Sequence, residues 1–327
     1  MSDMILYLAM ATAGYIVASK IQDKKDKFKW TGKVQTFAII VLVILMGMRM
    51  GSNQEIIDNL GTIGLAALVF TIFVQGCSVL FIFIARKIMR MDRHGYIVEK
   101  NELKYSGEKK EKKEKQKFEI NRMTVIILCS VIAGMIIGYF VILPSFEGRM
   151  DAFTNFASRG IQIGLCVLIF LVGMDLGFVG SIFQDMKKAG IRVLIIPFII
   201  LFGTLSGGVI AGTVMGVSIK ESLAIAGGMG WYSLAPGIIM EAGYITSSAI
   251  SFLHNVFREV FTILLTPMIA KRIGYVEPIA MAASPAMDVC LPIIERSTAP
   301  HVAVYSFISG AILSFLVPVI VALFIGL

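Results

Sequence analysis

VLIFLVGMDLG, residues 167–177, is the second appearance of a pattern already present as VLVILMGMRMG at 41–51. Both carry L-x-G-M-x-x-G inside an otherwise apolar run. At the same offset Ile56 matches Ile182, Gly64 matches Gly190 and Leu68 matches Leu194. A weaker echo pairs Gly14-Tyr15 with Gly138-Tyr139. The chain therefore reads as two related halves, roughly 1–85 and 123–217, followed by a third portion with no counterpart.

Composition says where such runs belong. Of 327 residues 57% are hydrophobic and 16% charged, with a mean hydropathy of +0.81. Soluble chains of this size are about 45–50% apolar and about 25% charged, so a soluble enzyme and a disordered or fibrous chain are both excluded. The reading is an all-α polytopic membrane protein. Helices that cross hydrocarbon need about 20 apolar residues, and eight candidates follow: 4–19, 34–48, 60–85, 123–143, 160–182, 193–217, 245–270 and 299–327. No basic residue precedes the first, whereas Lys20, Lys24 and Lys25 follow it, which is not the order of a cleavable signal peptide.

The net charge of +8 is concentrated between spans. With the start outside the cytoplasm, loops 20–33, 86–122, 183–192 and 271–298 fall inside and hold 25 of the 30 Lys and Arg residues. The other side holds Arg49, Arg149, Arg159 and Lys220. That asymmetry is the positive-inside pattern. It supports eight spans with both ends outside and 86–122 as a charged cytoplasmic loop of a single 1–327 membrane domain. Anionic lipid is the partner such charge suggests, not nucleic acid. In this topology span 34–48 runs outward and span 160–182 inward. The repeat is then inverted, as in many secondary transporters.

Two segments are apolar but cannot be plain helices. Residues 222–243 (SLAIAGGMGWYSLAPGIIMEAG) contain Gly227, Gly228, Gly230, Pro236 and Gly237. Residues 276–298 (VEPIAMAASPAMDVCLPIIERST) contain Pro278, Pro285 and Pro292 beside Glu277, Asp288, Glu295 and Arg296. Irregular backbone at membrane depth persists only when protein buries it or it lines a wet cavity. Both read as re-entrant or broken segments; a ninth span over 222–243 would put Lys271 and Arg272 outside, against the charge pattern. The glycine pairs Gly47/Gly51, Gly134/Gly138, Gly173/Gly177 and Gly208/Gly212/Gly216 are close-packing positions for helices. Cys77, Cys129, Cys166 and Cys290 lie in apolar runs without metal-ligand spacing and read as packing residues.

Ionisable groups inside spans are costly, about 2.5–3.5 kcal/mol each on insertion scales, and so mark function. Span 245–270 is the richest. Ser248, Ser251, Asn255, Glu259, Thr262 and Thr266 recur at helical steps and share one face, with His254 and Arg258 beside it. Such a stripe lines water or pairs with another polar element. Arg258 and Glu259 are adjacent and point about 100° apart, so they are not natural partners. Asp288, in a Pro-punctuated segment, is the second acid. Asp175 occupies the repeat position of Arg49 and is a weaker candidate, and Glu241, Glu295 and Arg296 lie near interfaces. Two membrane carboxylates can hold protons or a cationic substrate in competition, and half-helix N-termini suit a substrate carboxylate. A basic amino acid meets both conditions.

GGMGWYSLAPGIIM, SFLHNVFREVFTILLTP and AMDVCLPIIERST, with the earlier L-x-G-M-x-x-G, resemble the lysine exporter LysO family of bacterial inner-membrane proteins. The resemblance covers nearly the whole chain and is most specific in the last hundred residues. It implies export of L-lysine and its analogue thialysine in exchange for protons, eight spans with both ends periplasmic, and no enzymatic activity. It implies two essential acids, which fall here on Glu259 and Asp288. Ser251, Asn255, Arg258, Thr262 and Asp175 are the accompanying substrate or pathway residues. The coupling ion is then a proton and no cofactor is called for. The run EKKEKKEKQK at 108–117 makes the 86–122 loop longer and more charged than the family leads one to expect. Two other readings remain on the residues alone: a sodium- or proton-coupled carboxylate transporter, and an intramembrane aspartyl peptidase, for which Glu is a poor dyad member. The sequence leaves a homodimer open.

Overall fold

The computed structural model describes residues 2–21, 28, 30–96, 122–146, 150–179 and 191–326, and the regular elements among them are all helices. Much of the basic loops expected at 20–33, 86–122 and 183–192, and Arg149, lie outside the described residues. The first half supplies α1 (Ser2–Lys20), α2 (Thr31–Gly51), a short α3 (Gln54–Asp58) and α4 (Leu60–Ile88). The second supplies α5 (Arg122–Ile137), extended through a π turn at Gly138–Ile142 and Leu143–Ser145, then α6 (Met150–Val179) and α7 (Ile191–Met215). The remainder forms α8 (Ile219–Gly227), α9 (Ala235–Glu241), α10 (Ile245–Arg272), α11 (Glu277–Ala282), a 3₁₀ turn (Ser284–Met287), α12 (Leu291–Ser297) and α13 (Pro300–Gly326).

Among the described residues seven helices are long and apolar enough to cross a membrane: α2, α4, α5 with its extension, α6, α7, α10 and α13. The chain is a multi-pass helical membrane protein. The first expected span is the 19-residue α1, which is not one of the seven. The span expected at 160–182 begins ten residues earlier, at Met150, and the helix has 30 residues. At 1.5 Å per residue it is about 45 Å long, against about 30 Å of hydrocarbon. The helix is thus longer than the apolar layer is thick, and it runs through Asp151 and Arg159.

The two halves pack on each other in a matched way. Helix α1 lies on α6 and α5 lies on α2, while α2 meets α6 and α4 meets α7. Exchanging α1, α2, α4 with α5, α6, α7 leaves that set of contacts unchanged. The atoms agree. A Cβ built on Gly14 would stand 2.1 Å from Phe170 O and 3.0 Å from Met174 N, and one on Gly134 would stand 2.5 Å from Ile44 O and 3.1 Å from Met48 N. Phe170 and Met174 are related to Ile44 and Met48 by the offset that aligns 167–177 with 41–51. Gly177 likewise approaches Tyr15 O, and Gly51 approaches Met135 O. Gly14 thus corresponds to Gly134, and the Gly14/Gly138 echo is one helical turn out of register. Only glycine admits a neighbouring carbonyl this closely, which is how helices gain van der Waals contact where lipid offers no hydrophobic drive.

The third portion fills the space between α4, α7 and α13 with two interrupted helices. Residues 228–234 separate α8 from α9, and the chain breaks again between α11, the 3₁₀ turn and α12. The breaks cross each other. Ser284 N donates to Met229 O at 3.0 Å, and a Cβ on Gly230 would meet Pro285 Cδ at 2.7 Å. Three residues at the crossing have left-handed backbone: Met229 (φ 48°), Gly230 (φ 95°) and Ala283 (φ 57°). For the two non-glycines such sparsely populated backbone costs about 1–3 kcal/mol each, and both are fully buried in tight packing. Helix α13 closes the far side, where Ser306 Oγ donates to Ala286 O at 2.7 Å and Ser284 and Ser314 share a 2.5 Å hydroxyl contact.

Gly134→Leu should force α2 and α5 apart and lower stability by about 1–3 kcal/mol, the usual cost of overpacking. Gly64→Ala, where nothing lies within 4 Å, should be neutral or mildly stabilising because alanine is the better helix former. Thermal unfolding of the detergent-solubilised proteins measures both.

Candidate functional site

Helix α10 carries the polar stripe into the crossing. Ser248, Ser251, His254, Asn255, Arg258, Thr262 and Thr266 are completely buried and Glu259 is 1% exposed. Of the two roles such a stripe can have, pairing with other polar elements is the one realised here. Asn255 Oδ1 accepts from Gly230 N at 2.6 Å, while its Nδ2 donates to Ser251 O at 2.8 Å and contacts Ser251 Oγ at 3.2 Å. Ser248 Oγ donates to Pro236 O at 2.7 Å. The first broken segment is thus held on α10 at two points.

Arg258 holds the second. Its Nε donates to Met281 O at 2.9 Å, and its Nη2 donates to Ala280 O at 3.0 Å and Thr204 Oγ1 at 3.2 Å. Ala280 and Met281 lie in the last turn of α11, where carbonyls have no helical partner and a cation is favoured. Hydrogen bonds from a charged donor contribute about 1.5–3 kcal/mol each. Arg258 is the largest of the fully buried side chains.

Helix α4 supplies residues that the sequence reading passed over. Gln75 Nε2 donates to Arg258 O (2.8 Å), Thr262 Oγ1 (3.1 Å) and Met281 O (3.3 Å). Thr71 Oγ1 lies 3.0 Å from His254 Nδ1, and Ser78 Oγ lies 2.9 Å from Thr204 Oγ1 on α7. Thr71, Gln75 and Ser78 follow one another at i, i+4 and i+7 in an otherwise apolar span, the spacing of a single helical face. That periodicity was present in the sequence.

The acids are placed unequally. Glu259 is enclosed, whereas Asp288 is exposed, its Oδ1 accepting from Val289 N at 2.6 Å. Arg258 and Glu259 are neighbours on α10, and Asp288 stands two residues before the buried Cys290 in the second broken segment, which packs on α10. Asp175 is exposed on α6, which packs on α1, α2 and α9 and stands apart from this group. Among the described residues no three His, Cys, Asp or Glu side chains are arranged to hold a metal.

Two ion pairs pin the outer ends of the broken segments. Arg49, near the end of α2, meets Glu241, the last residue of α9, at 2.6 Å, and also donates to Ser158 Oγ at 3.1 Å. Arg86, near the end of α4, meets Glu277, the first residue of α11, at 2.7 Å and donates to Ile273 O at 3.3 Å. Gly274 makes the second pair feasible, since a Cβ there would stand 2.4 Å from Glu277 Oε2.

Buried charges at the crossing of two interrupted helices, set in a scaffold of matched halves, define a class of polytopic membrane protein. Residues 128–325 match the family model described as Lysine exporter LysO, and the chain belongs to that family. It is 29% identical over 198 residues to the Lysine exporter LysO of Escherichia coli (strain K12), a match covering 60% of this chain and 62% of that protein. It is 26% identical over 200 residues to a "Putative lysine exporter" of Haemophilus influenzae (strain ATCC 51907 / DSM 11121 / KW20 / Rd), covering 61% of this chain and 96% of that one. The match thus spans less than two thirds of the E. coli relative.

Arg86→Met should destabilise the protein by about 3–5 kcal/mol, because it strands a fully buried carboxylate at Glu277. Adding Glu277→Leu should restore much of the loss. Chemical denaturation of the single and double variants in detergent reads the difference.

Proposed function

We propose that this chain is a secondary transporter that exports L-lysine, and cationic analogues such as thialysine, across a bacterial inner membrane in exchange for protons. The observation that carries the reading is the charge set at the crossing: one cation, Arg258, and one acid, Glu259, buried on α10, with a second acid, Asp288, in the broken segment packed on that helix. Lysine carries the complementary set, two ammonium groups and one carboxylate. Glu259 is enclosed at 1% exposure, where a carboxylate is stable only with a proton or a cation to answer it. In the proposed exchange a proton and a substrate ammonium compete for it. That competition is the physical requirement for exchange.

The proposed topology counts α1 as the first of eight spans, with both ends outside the cytoplasm and the broken segments entering from opposite faces. Loop 86–122 then lies in the cytoplasm against anionic lipid head groups. Alternating access in such a protein is a rocking of one repeat against the other around a fixed site, and the matched packing of α1–α6 with α5–α2 supports it. A carboxylate carrier is the second reading, supported by the buried Arg258.

Everted membrane vesicles with an acidic lumen and a pH-sensitive dye test this. Lysine, thialysine and arginine should release protons, and citrate and glutamate should not. Glu259→Gln and Asp288→Asn should each abolish the signal while the protein stays in the membrane. Normal exchange by either variant removes that acid from the mechanism, and a response to citrate or glutamate favours the carboxylate carrier.

A further inference from the structure

The guanidinium of Arg258 is satisfied on one side only. Nε and Nη2 are taken by Met281 O, Ala280 O and Thr204 Oγ1, yet Nη1 is buried with no hydrogen-bond partner among the described residues. No ion pair to Arg258 occurs among those residues either. Its neutral partners fix its orientation without neutralising it. A buried cation in that condition is strongly unfavourable unless something answers it, and an arginine edge is shaped to take carboxylate oxygens.

The competing donors in this region are weak. Each short helix at the crossing begins with proline in its first two positions: Pro236 in α9, Pro278 in α11, Pro285 in the 3₁₀ turn and Pro292 in α12. Proline has no N–H, so each of these helix starts offers an anion one donor fewer than the usual four. Arg258 offers a carboxylate what these starts do not, a buried charged donor with an N–H still unanswered.

We propose that Arg258 Nη1 is the subsite for the substrate α-carboxylate, held in position by α11 and Thr204 and opened when the broken segments part from α10. The site takes an α-amino acid and rejects the corresponding amine. This deepens the proposed function and rests on it only for the identity of the cargo.

Binding to the purified full-length protein in nanodiscs, followed by calorimetry, tests it with lysine, lysinamide and cadaverine, which is lysine without its carboxylate. The wild type should bind lysine at least tenfold more tightly than either analogue. Arg258→Gln should weaken lysine binding at least tenfold more than it weakens cadaverine binding, bringing the two ligands level, and Arg258→Lys should fall between. Equal loss of both ligands, or undiminished lysine binding, overturns the subsite. If Arg258→Gln does not fold, the wild type alone decides, since equal affinity for lysine and lysinamide is also fatal to it. If the wild type ignores lysine but binds glutamate or citrate through Arg258, the subsite stands and lysine falls. If it binds no carboxylate at all, both fall.

Discussion

Two helices break where they cross, and every backbone group their breaks release must find a partner inside the protein. In hydrocarbon an unanswered N–H or C=O costs several kcal/mol. Here the answers come largely from one face of α10. Asn255 takes Gly230 N, Ser248 reaches Pro236 O, and Arg258 gathers the carbonyls of Ala280 and Met281. The breaks also answer each other through Ser284 N and Met229 O. Remove the polar face and neither interruption is tenable. The charged residues read as functional are thus structural too.

That double role explains what was legible in the sequence and what was not. The apolar runs, the repeated L-x-G-M-x-x-G and the Gly/Pro interruptions are local patterns, and helices and breaks follow them, although α1 is not among the seven long apolar helices and α6 begins ten residues early. Register between helices is a different kind of information. Gly14 faces Phe170 because of how α1 leans on α6, and nothing in residues 1–20 records that lean, so pairing by eye with Gly138 fell one turn off. Likewise the span at 160–182 was bounded by its apolar run, although the helix continues back through Arg159 to Met150. The α4 seam of Thr71, Gln75 and Ser78 was visible as spacing but carried no charge, and uncharged polar residues draw less notice in an apolar run.

The ion pairs show a further limit of reading along the chain. Arg49 and Glu241, and Arg86 and Glu277, are nearly two hundred residues apart in each case. Each partner looks like an ordinary end-of-helix charge when read alone. Together they moor the free ends of the interrupted segments to α2 and α4, so that the crossing is suspended from the scaffold at both ends.

The matched halves have one consequence of their own. Their backbones are nearly interchangeable in packing, but positions 49 and 175, which correspond, carry opposite charges: Arg49 is tied to Glu241, and Asp175 is exposed. Were the halves to trade conformations during a cycle, the two end states would be alike in shape and unlike in energy. The gradients would still dictate which way cargo flows. The charge mismatch would instead settle where the protein waits between turnovers, a resting bias written into two side chains and adjustable without disturbing the fold.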